Sequence, residues 1–114
     1  MQRWPASAGW RLLFALLILS VCWLAFDPKP PAAADTGWDK ANHALAFAAL
    51  AACALPAFPR PRPGRLALGL LGLGIFIELV QSQIPGRSAE VLDVAGDAVG
   101  FALVLIPAAL RRRA

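Results

Sequence analysis

The chain alternates four long, almost continuously apolar stretches with short polar segments. The apolar stretches cover about residues 10–26, 41–58, 66–84 and 89–110. Each is long enough to cross a hydrocarbon core about 30 Å thick, which takes roughly 17 to 25 helical residues. The segments between them, DPKPPAAADTGWD, PRPRPGR and IPGRS, are rich in the prolines and glycines that interrupt helices. The pattern predicts an all-α fold, a compact bundle of four transmembrane helices in which residues 1–114 form a single domain.

Composition favours a membrane protein over a soluble one. Apolar residues make up 59% of the sequence and the mean hydropathy is +0.61, both higher than soluble domains carry. Both cysteines, Cys22 and Cys53, fall inside predicted spans, where a thiol behaves as a small apolar group. Their positions form neither a disulfide framework nor a metal-binding spacing. Composition therefore indicates that the chain lies in a membrane, but it does not indicate a function.

Charged residues are segregated along the chain. Three regions are basic and contain no acid, namely the amino end, the second connecting segment and the carboxyl end. Their arginines are Arg3, Arg11, Arg60, Arg62, Arg65, Arg111, Arg112 and Arg113. Because cytoplasmic segments carry the excess of Lys and Arg, four alternating spans place both termini and the second segment in the cytoplasm. The first and third segments then face outward, and a net charge of +4 distributed in this way does not indicate a nucleic-acid partner.

The first apolar stretch has an alternative interpretation as a cleaved secretory signal. Arg3 and Arg11 would form its basic region, and the AAAD motif would supply a small-residue cleavage site. The tryptophans of the stretch and the prolines before AAAD favour an ordinary first span instead. Removal of the stretch would leave three spans with the same orientation.

Polar residues gather beside the outward-facing ends of the second, third and fourth spans. The three groups are Asp39, Lys40, Asn42 and His43; Glu78 and Gln81; and Arg87, Ser88, Glu90, Asp93 and Asp97. At a rise of about 1.5 Å per residue, Glu78 and Asp97 both lie roughly 10 to 12 Å below the outer surface. Residues three and four apart share a helix face, so Asp93 and Asp97 point the same way. The spacing predicts that these spans direct their polar residues into one outward-opening pocket, with the first span as a lipid-facing flank.

Ionised side chains in the hydrocarbon require partners. A charged residue in the middle of the bilayer costs about 2.5 to 3.5 kcal/mol on insertion scales, so Glu78 and Asp97 must be paired, protonated or hydrated. The cations on the same side are Arg87, Lys40 and His43. We expect at least one salt bridge, and Arg87 is the favoured cation because its guanidinium can hold a carboxylate through two bonds.

The order of these residues resembles the VanZ-like family of small membrane proteins. The matching motifs are DK-x-x-H-x-x-x-F, then E-x-x-Q, then PGRS-x-x-x-x-D-x-x-x-D-x-x-G, and they extend over residues 39–101. The family pattern falls on Asp39, Lys40, His43, Glu78, Gln81, Arg87, Ser88, Asp93 and Gly100. Two positions depart from it, since Phe47 stands where tyrosine is common and Asp97 where asparagine is common. If asparagine serves at that position elsewhere in the family, the shared activity does not depend on a negative charge there.

The resemblance implies a polytopic protein of the bacterial inner membrane with a role in the cell envelope. The family is named for a member linked to resistance to the glycopeptide teicoplanin, and it has no settled chemistry. The first expectation is a binding protein, without a cofactor, whose pocket holds a lipid-linked envelope precursor or a glycopeptide. Membrane lipids are its other expected partners.

The alternative expectation is an intramembrane enzyme that acts on a lipid or lipid-linked head group, and the sequence leaves open whether anything is turned over. In that case Arg87 would hold a phosphate, while His43, Glu78 and Asp93 would carry out acid/base or metal-assisted work. Ser88 is a weak candidate nucleophile because no histidine adjoins it in sequence. A transporter or proton relay is disfavoured because the inner halves of the spans are apolar.

Several of these residues also have structural interpretations. Asp39 and Thr36 form a capping-box pattern, so Asp39 can stabilise the start of a helix or belong to the site. Glu78 and Asp93 can stabilise the bundle, although intramembrane carboxylates are functional hypotheses by default. Arg87 can anchor to a lipid phosphate.

His43 has three interpretations. It can form an interhelical hydrogen bond, it can handle protons or contact a ligand, or it can coordinate a metal ion. Metal coordination is the least favoured of the three, and the sequence assigns no metal site. Catalytic residues are likewise left unassigned.

Overall fold

A computed structural model of the chain describes residues 6–29, 37, 39–87 and 89–113, without the side chains of Asp39 and Arg113. The described residues form four α-helices. The helices are α1 (Ala6–Phe26), α2 (Asp39–Ala57), α3 (Pro63–Gln81) and α4 (Val91–Arg113). The predicted all-α fold is confirmed, and each helix begins and ends within four residues of its predicted limits.

The composition of the connecting segments explains where α3 begins and ends. It begins at Pro63, where the missing N–H costs nothing because the first turn of a helix has no intrahelical acceptor. It ends at Gln81, and the turn that follows contains Gly86 with a φ of 87°, a left-handed conformation that favours glycine. This turn lies against the segment after α1, since a Cβ on Gly86 would be 3.7 Å from the carbonyl oxygen of Pro28.

Three of the four helices, α1, α3 and α4, are long and apolar enough to cross a membrane. α2 is less apolar because Lys40, Asn42 and His43 occupy its first two turns. The prediction of four spans is therefore confirmed only for three helices of spanning length. A fourth span over α2 remains a prediction.

The exterior of the bundle is apolar and its interior is partly polar, which is the reverse of a soluble domain. Large apolar side chains are exposed on every helix. Examples are Leu16, Trp23, Leu45, Leu68 and Leu103. The largest fully buried side chains are Phe47, Leu50, Ile77, Gln81, Asp93 and Asp97. An apolar surface of this extent around buried carboxylates indicates a membrane protein.

α2 occupies the centre of the bundle. It makes its most extensive contact with α4 and a smaller one with α1, while α3 packs mainly on α4. α1 has no buried residue and lies on the flank, as its uniformly apolar sequence predicts. The apolar core joins Phe47 and Leu50 of α2 to Ile77 of α3 and to Phe101 and Leu105 of α4.

Two glycines allow α4 to approach α2 closely. Gly100 packs against the backbone of Ala44, and a Cβ at this position would overlap with the Ala44 carbonyl group. A Cβ on Gly96, one turn earlier, would lie 3.2 Å from the carbonyl oxygen of Lys40. Small residues at a helix interface permit this contact between backbones. The close crossing brings the polar first turns of α2 and α4 next to each other.

One end of the bundle is basic. The Nε of Arg11 donates a hydrogen bond to the carbonyl of Ala57 at 2.9 Å, and the Nη1 of Arg112 donates to that of Pro61 at 2.9 Å. These bonds join α1, the α2–α3 connection and the end of α4. The acids whose side chains the structure describes lie toward the opposite end. They are Asp27, Glu78, Glu90, Asp93 and Asp97.

Candidate functional site

Three helices contribute polar side chains to one place near the end of α3 and the start of α4. We call the four residues His43, Glu78, Asp93 and Asp97 the polar cluster. His43 lies one turn into α2, Glu78 in the last turn of α3, and Asp93 and Asp97 one turn apart in α4. The structure thus brings together side chains that are up to 54 residues apart in the sequence.

The imidazole of His43 is held by Asp97. Its Nδ1 lies 2.7 Å from Oδ1 of Asp97, whose side chain is completely buried. An ionised carboxylate can only accept, so with Asp97 ionised Nδ1 carries a proton and donates a hydrogen bond to Oδ1. The other ring nitrogen, Nε2, then lies 3.9 Å from Oε1 of Glu78 and 3.7 Å from Oδ2 of Asp93. Asp97 therefore sets the direction in which His43 presents Nε2.

Room for the Asp97 carboxylate comes from a glycine of α3. A Cβ on Gly74 would lie 2.6 Å from Oδ2 of Asp97, a distance that real Cβ contacts do not reach. The sequence places Gly74 one turn before Glu78, on the same face of α3. The absence of a side chain at Gly74 therefore lets the buried carboxylate of Asp97 lie between α3 and α4.

Glu78 is oriented by the backbone at the start of α4. Its Oε2 accepts a hydrogen bond of 3.0 Å from the backbone N–H of Glu90. Its Oε1 is buried and has no hydrogen-bond partner within the described part of the chain. The bond to Glu90 thus fixes one oxygen and leaves the other facing His43. The sequence gives no sign of this bond, because a contact made by the backbone of Glu90 does not depend on its side chain.

Exposure decreases from the end of the bundle toward the polar cluster. The side chains of Glu90 and Lys40 are 54% and 34% exposed, and they form an ion pair of 3.1 Å. Glu78 and His43 are 11% and 10% exposed, and Asp93 is 1% exposed. The Nζ of Lys40 also lies 3.6 Å from Oδ1 of Asp93, which links the rim to the interior. The polar cluster is therefore reached from this end of the bundle.

The geometry brings three potential metal ligands close together. One ligand atom each from His43, Glu78 and Asp93 can be chosen so that all three lie within 4.8 Å of one another. Imidazole nitrogen with carboxylate oxygens is a donor set typical of zinc and other first-row transition metals. The sequence did not favour this role for His43, because spacing along a chain does not determine distances between helices.

Gln81 has a partner outside the polar cluster. Its Nε2 donates a hydrogen bond of 2.9 Å to the carbonyl of Ala25 in the last turn of α1. The side chain is almost completely buried, at 1% exposure. Gln81 was predicted to belong to the site. In the structure its side chain joins the ends of α1 and α3, which is a structural role.

The expected salt bridge of Arg87 is not found among the described residues. The carboxylates of Glu90 and Asp93 pair with Lys40 instead, and Asp97 contacts the imidazole of His43. The Nε of Arg87 is buried and has no hydrogen-bond partner in the described segments. The physical reason is that Arg87 lies in the tight turn after α3, where its backbone N–H bonds to the carbonyl of Ile84. Because Arg87 lies outside the helices, the helical repeat does not place its side chain on the face that carries the carboxylates.

Two predicted site residues cannot be placed. Ser88 and the side chain of Asp39 lie outside the described residues, although the backbone of Asp39 begins α2. Thr36, the other half of the predicted capping box, also lies outside them.

A separate apolar cavity of about 260 Å³ lies between α1, α2 and α3. Its lining includes Phe14, Phe58, Leu70 and the basic residue Arg65. The guanidinium of Arg11 lies 5.5 Å from the centre of the Phe58 ring, at the basic end of the bundle. The cavity is therefore distinct from the polar cluster and offers packing space rather than reactive groups.

Comparison with known proteins adds no further identification. No protein family, curated protein or solved structure matches the chain. The resemblance to the VanZ-like family stays a prediction from motif order. The chemistry of the polar cluster has to be inferred from its geometry.

Proposed function

We propose that the chain is a VanZ-like protein of the bacterial inner membrane with four spans and both termini in the cytoplasm. Its polar cluster opens to the outer side and binds the polar head of an envelope ligand. A lipid-linked envelope precursor or a glycopeptide of the teicoplanin type is the proposed ligand class. Binding would alter access of the antibiotic to its target.

The proposal rests on the burial of Asp93 and Asp97, with the mostly covered side chains of His43 and Glu78 beside them, inside a bundle with an apolar exterior. Buried ionisable groups cost free energy, and in membrane proteins they mark ligand or ion sites by default. The graded exposure from Glu90 to Asp93 supports access from one end.

The proposed orientation rests on the segregation of charge. The basic end contains Arg11, the α2–α3 connection and the end of α4, and positive charge marks the cytoplasmic side of membrane proteins. The polar cluster lies toward the opposite end, so it faces outward. α2 would cross the membrane with the other helices, because it packs between α1 and α4 and extends from one end of the bundle to the other.

The side chains suggest what the ligand presents. The carboxylates of Glu78 and Asp93 accept hydrogen bonds from hydroxyl or ammonium groups. The guanidinium of Arg87 and the ammonium of Lys40, at the same end, suit a phosphate or carboxylate. Sugars, amino groups and phosphates occur together in lipid-linked envelope precursors, and hydroxyls, amines and a carboxylate occur in glycopeptides.

An intramembrane enzyme is the second candidate, and the contact between His43 and Asp97 favours it. A buried carboxylate that fixes the tautomer of a histidine prepares Nε2 to accept or donate a proton. In that role His43 would be the general acid or base acting on a head group. Turnover of a labelled lipid head group by the purified protein distinguishes this candidate from simple binding.

Orientation is tested with single cysteines in a variant that lacks Cys22 and Cys53. Gln83→Cys lies in the exposed turn after α3, and Arg60→Cys lies in the exposed connection between α2 and α3. In spheroplasts, a membrane-impermeant maleimide should label Gln83→Cys at once and Arg60→Cys only after permeabilisation. The reverse pattern would reject an outward-facing site.

Binding is tested by native mass spectrometry of the protein purified with its lipids, together with teicoplanin susceptibility of cells that express it. Asp93→Asn should lose a co-purifying head-group species and any change in susceptibility. Glu90→Gln, at the exposed rim, serves as the matched control and should retain both. Equal lipid profiles and susceptibilities for the two variants would contradict a ligand-binding role of the polar cluster.

A further inference from the structure

The ligand-forming atoms of the polar cluster converge from three helices on one point. Nε2 of His43 lies 3.9 Å from Oε1 of Glu78 and 3.7 Å from Oδ2 of Asp93. A tetrahedral zinc ion with ligands at about 2.0 to 2.2 Å sets its ligand atoms about 3.3 to 3.6 Å apart. The two distances from Nε2 therefore exceed those of a zinc-bound set by only a few tenths of an ångström, and one ligand atom from each of the three residues lies within 4.8 Å of the others.

We propose that His43, Glu78 and Asp93 bind a divalent first-row transition metal ion, with zinc as the best-suited ion. The three protein ligands leave a fourth position open to water or to an exogenous group. Such an arrangement is typical of zinc sites that bind or activate a ligand, whereas purely structural sites use four protein ligands. The inference rests on the geometry of the polar cluster and not on the envelope ligand proposed above.

The contact between His43 and Asp97 is an independent observation in favour of the metal. Metal-ligating histidines characteristically donate their second ring N–H to a carboxylate or carbonyl, which fixes the tautomer and directs the free nitrogen at the ion. Asp97 accepts from Nδ1 at 2.7 Å and is completely buried. Asp97 is thus a positioning residue, and Nε2 is the ring nitrogen that faces Glu78 and Asp93.

The hydrogen bonding of the Glu78 carboxylate is a second observation in favour of the metal. The N–H of Glu90 holds its Oε2, whereas its Oε1 is buried and lacks a hydrogen bond within the described residues. Buried carboxylate oxygens without a bond are costly, and a metal ion in the polar cluster would satisfy this one. The oxygen concerned is the one that faces Nε2 of His43.

A dication would balance the charge of the ionised polar cluster. Glu78, Asp93 and Asp97 carry three negative charges when ionised, and a histidine that binds a metal through Nε2 is neutral, with its proton on Nδ1. A divalent ion neutralises two of these charges, and Lys40, 3.6 Å from Asp93, neutralises the third.

The test is zinc binding by the full chain purified in detergent, with folding of each variant checked by size exclusion and circular dichroism. The apoprotein should compete with a chromophoric chelator for a single zinc ion per chain. Cobalt(II) in place of zinc should give the visible absorption of a four-coordinate site, and zinc should displace it. Magnesium should not, because it prefers all-oxygen octahedral coordination.

Single substitutions distinguish the residues proposed to bind zinc from the residues that lie beside them. His43→Gln, Glu78→Gln and Asp93→Asn should each lower zinc affinity by more than about 100-fold, while Asp97→Ala should lower it about 10- to 100-fold. Glu90→Gln keeps the backbone N–H that holds Glu78 and should leave the affinity unchanged. Folded wild-type protein that neither binds zinc nor gives the cobalt spectrum would overturn the proposal, as would folded His43→Gln with wild-type affinity. Retained head-group binding in a protein without zinc affinity would reject the metal site and leave the proposed function intact.

Discussion

Nδ1 of His43 and Oδ1 of Asp97 are 2.7 Å apart, and this contact joins α2 to α4 in the interior of an apolar bundle. It determines which nitrogen of the only histidine in the chain faces Glu78 and Asp93. A short polar contact at this depth has two consequences, one for the stability of the bundle and one for the chemistry of the polar cluster.

Asp97→Asn should be tolerated, whereas Asp97→Ala should not. The asparagine side chain retains an oxygen that accepts from Nδ1 of His43, so we expect stability to change by less than about 1 kcal/mol. Alanine leaves the buried Nδ1–H without its acceptor, at a cost of about 1 to 3 kcal/mol. Thermal unfolding in detergent compares the two variants. Equal destabilisation would show that the charge of Asp97, and not its acceptor oxygen, is what matters.

Gly100→Ala should destabilise the α2–α4 contact. The added methyl group would overlap with the carbonyl of Ala44, and the backbones must separate to accommodate it. Overpacking of this kind costs about 1 to 3 kcal/mol. Gly72→Ala is the matched control, because a Cβ at Gly72 meets no atom within 4 Å. A control variant that loses as much thermal stability as Gly100→Ala would argue against a close helix crossing.

Gln81→Ala should loosen α1 from the rest of the bundle. The substitution removes the hydrogen bond to the carbonyl of Ala25 and leaves a gap in a buried site, at a cost of about 1 to 3 kcal/mol. Gln83→Ala removes the same side chain from an exposed turn and should have little effect. The loosening is measured by the rate of limited proteolysis in the connection after α1 and by thermal unfolding. Similar protease sensitivity in both variants would contradict the proposed tie between α1 and α3.

Arg87→Ala should affect ligand binding and leave folding unchanged. Among the described residues the guanidinium forms no ion pair with the carboxylates, so its removal leaves no buried charge without a partner. We expect a melting temperature close to that of the wild type and a loss of the head-group species seen by native mass spectrometry. A large fall in melting temperature with ligand retained would mean that Arg87 has a structural role.

The helices and the convergence of polar faces could be predicted from the sequence, because both follow from local periodicity. Apolar runs of spanning length predict α1, α3 and α4, and the spacing of Asp93 and Asp97 predicts a shared face. The partners of Arg87 could not be predicted in this way. They depend on the direction that a long side chain takes from a turn, which the helical repeat does not determine.

The metal-compatible geometry was also beyond the reach of the sequence. Coordination depends on tenths of an ångström between atoms on different helices, such as the 3.7 Å between His43 and Asp93. The hydrogen bond from the backbone of Glu90 that orients Glu78 has no side-chain signal at all. Gly74 is the one useful clue, because a glycine one turn before a buried acid indicates close contact with a neighbouring helix.

His43 is held in the interior with Nε2 directed at Glu78 and Asp93, and because it is the single histidine this arrangement can be measured directly. Selective ¹⁵N labelling of histidine gives nuclear magnetic resonance signals from this residue alone. We expect one rigid imidazole with Nδ1 protonated, and a shift of the Nε2 signal to that of an unprotonated, metal-bound nitrogen when zinc is added. An imidazole that averages between tautomers like one free in water, and that does not respond to zinc, would contradict it.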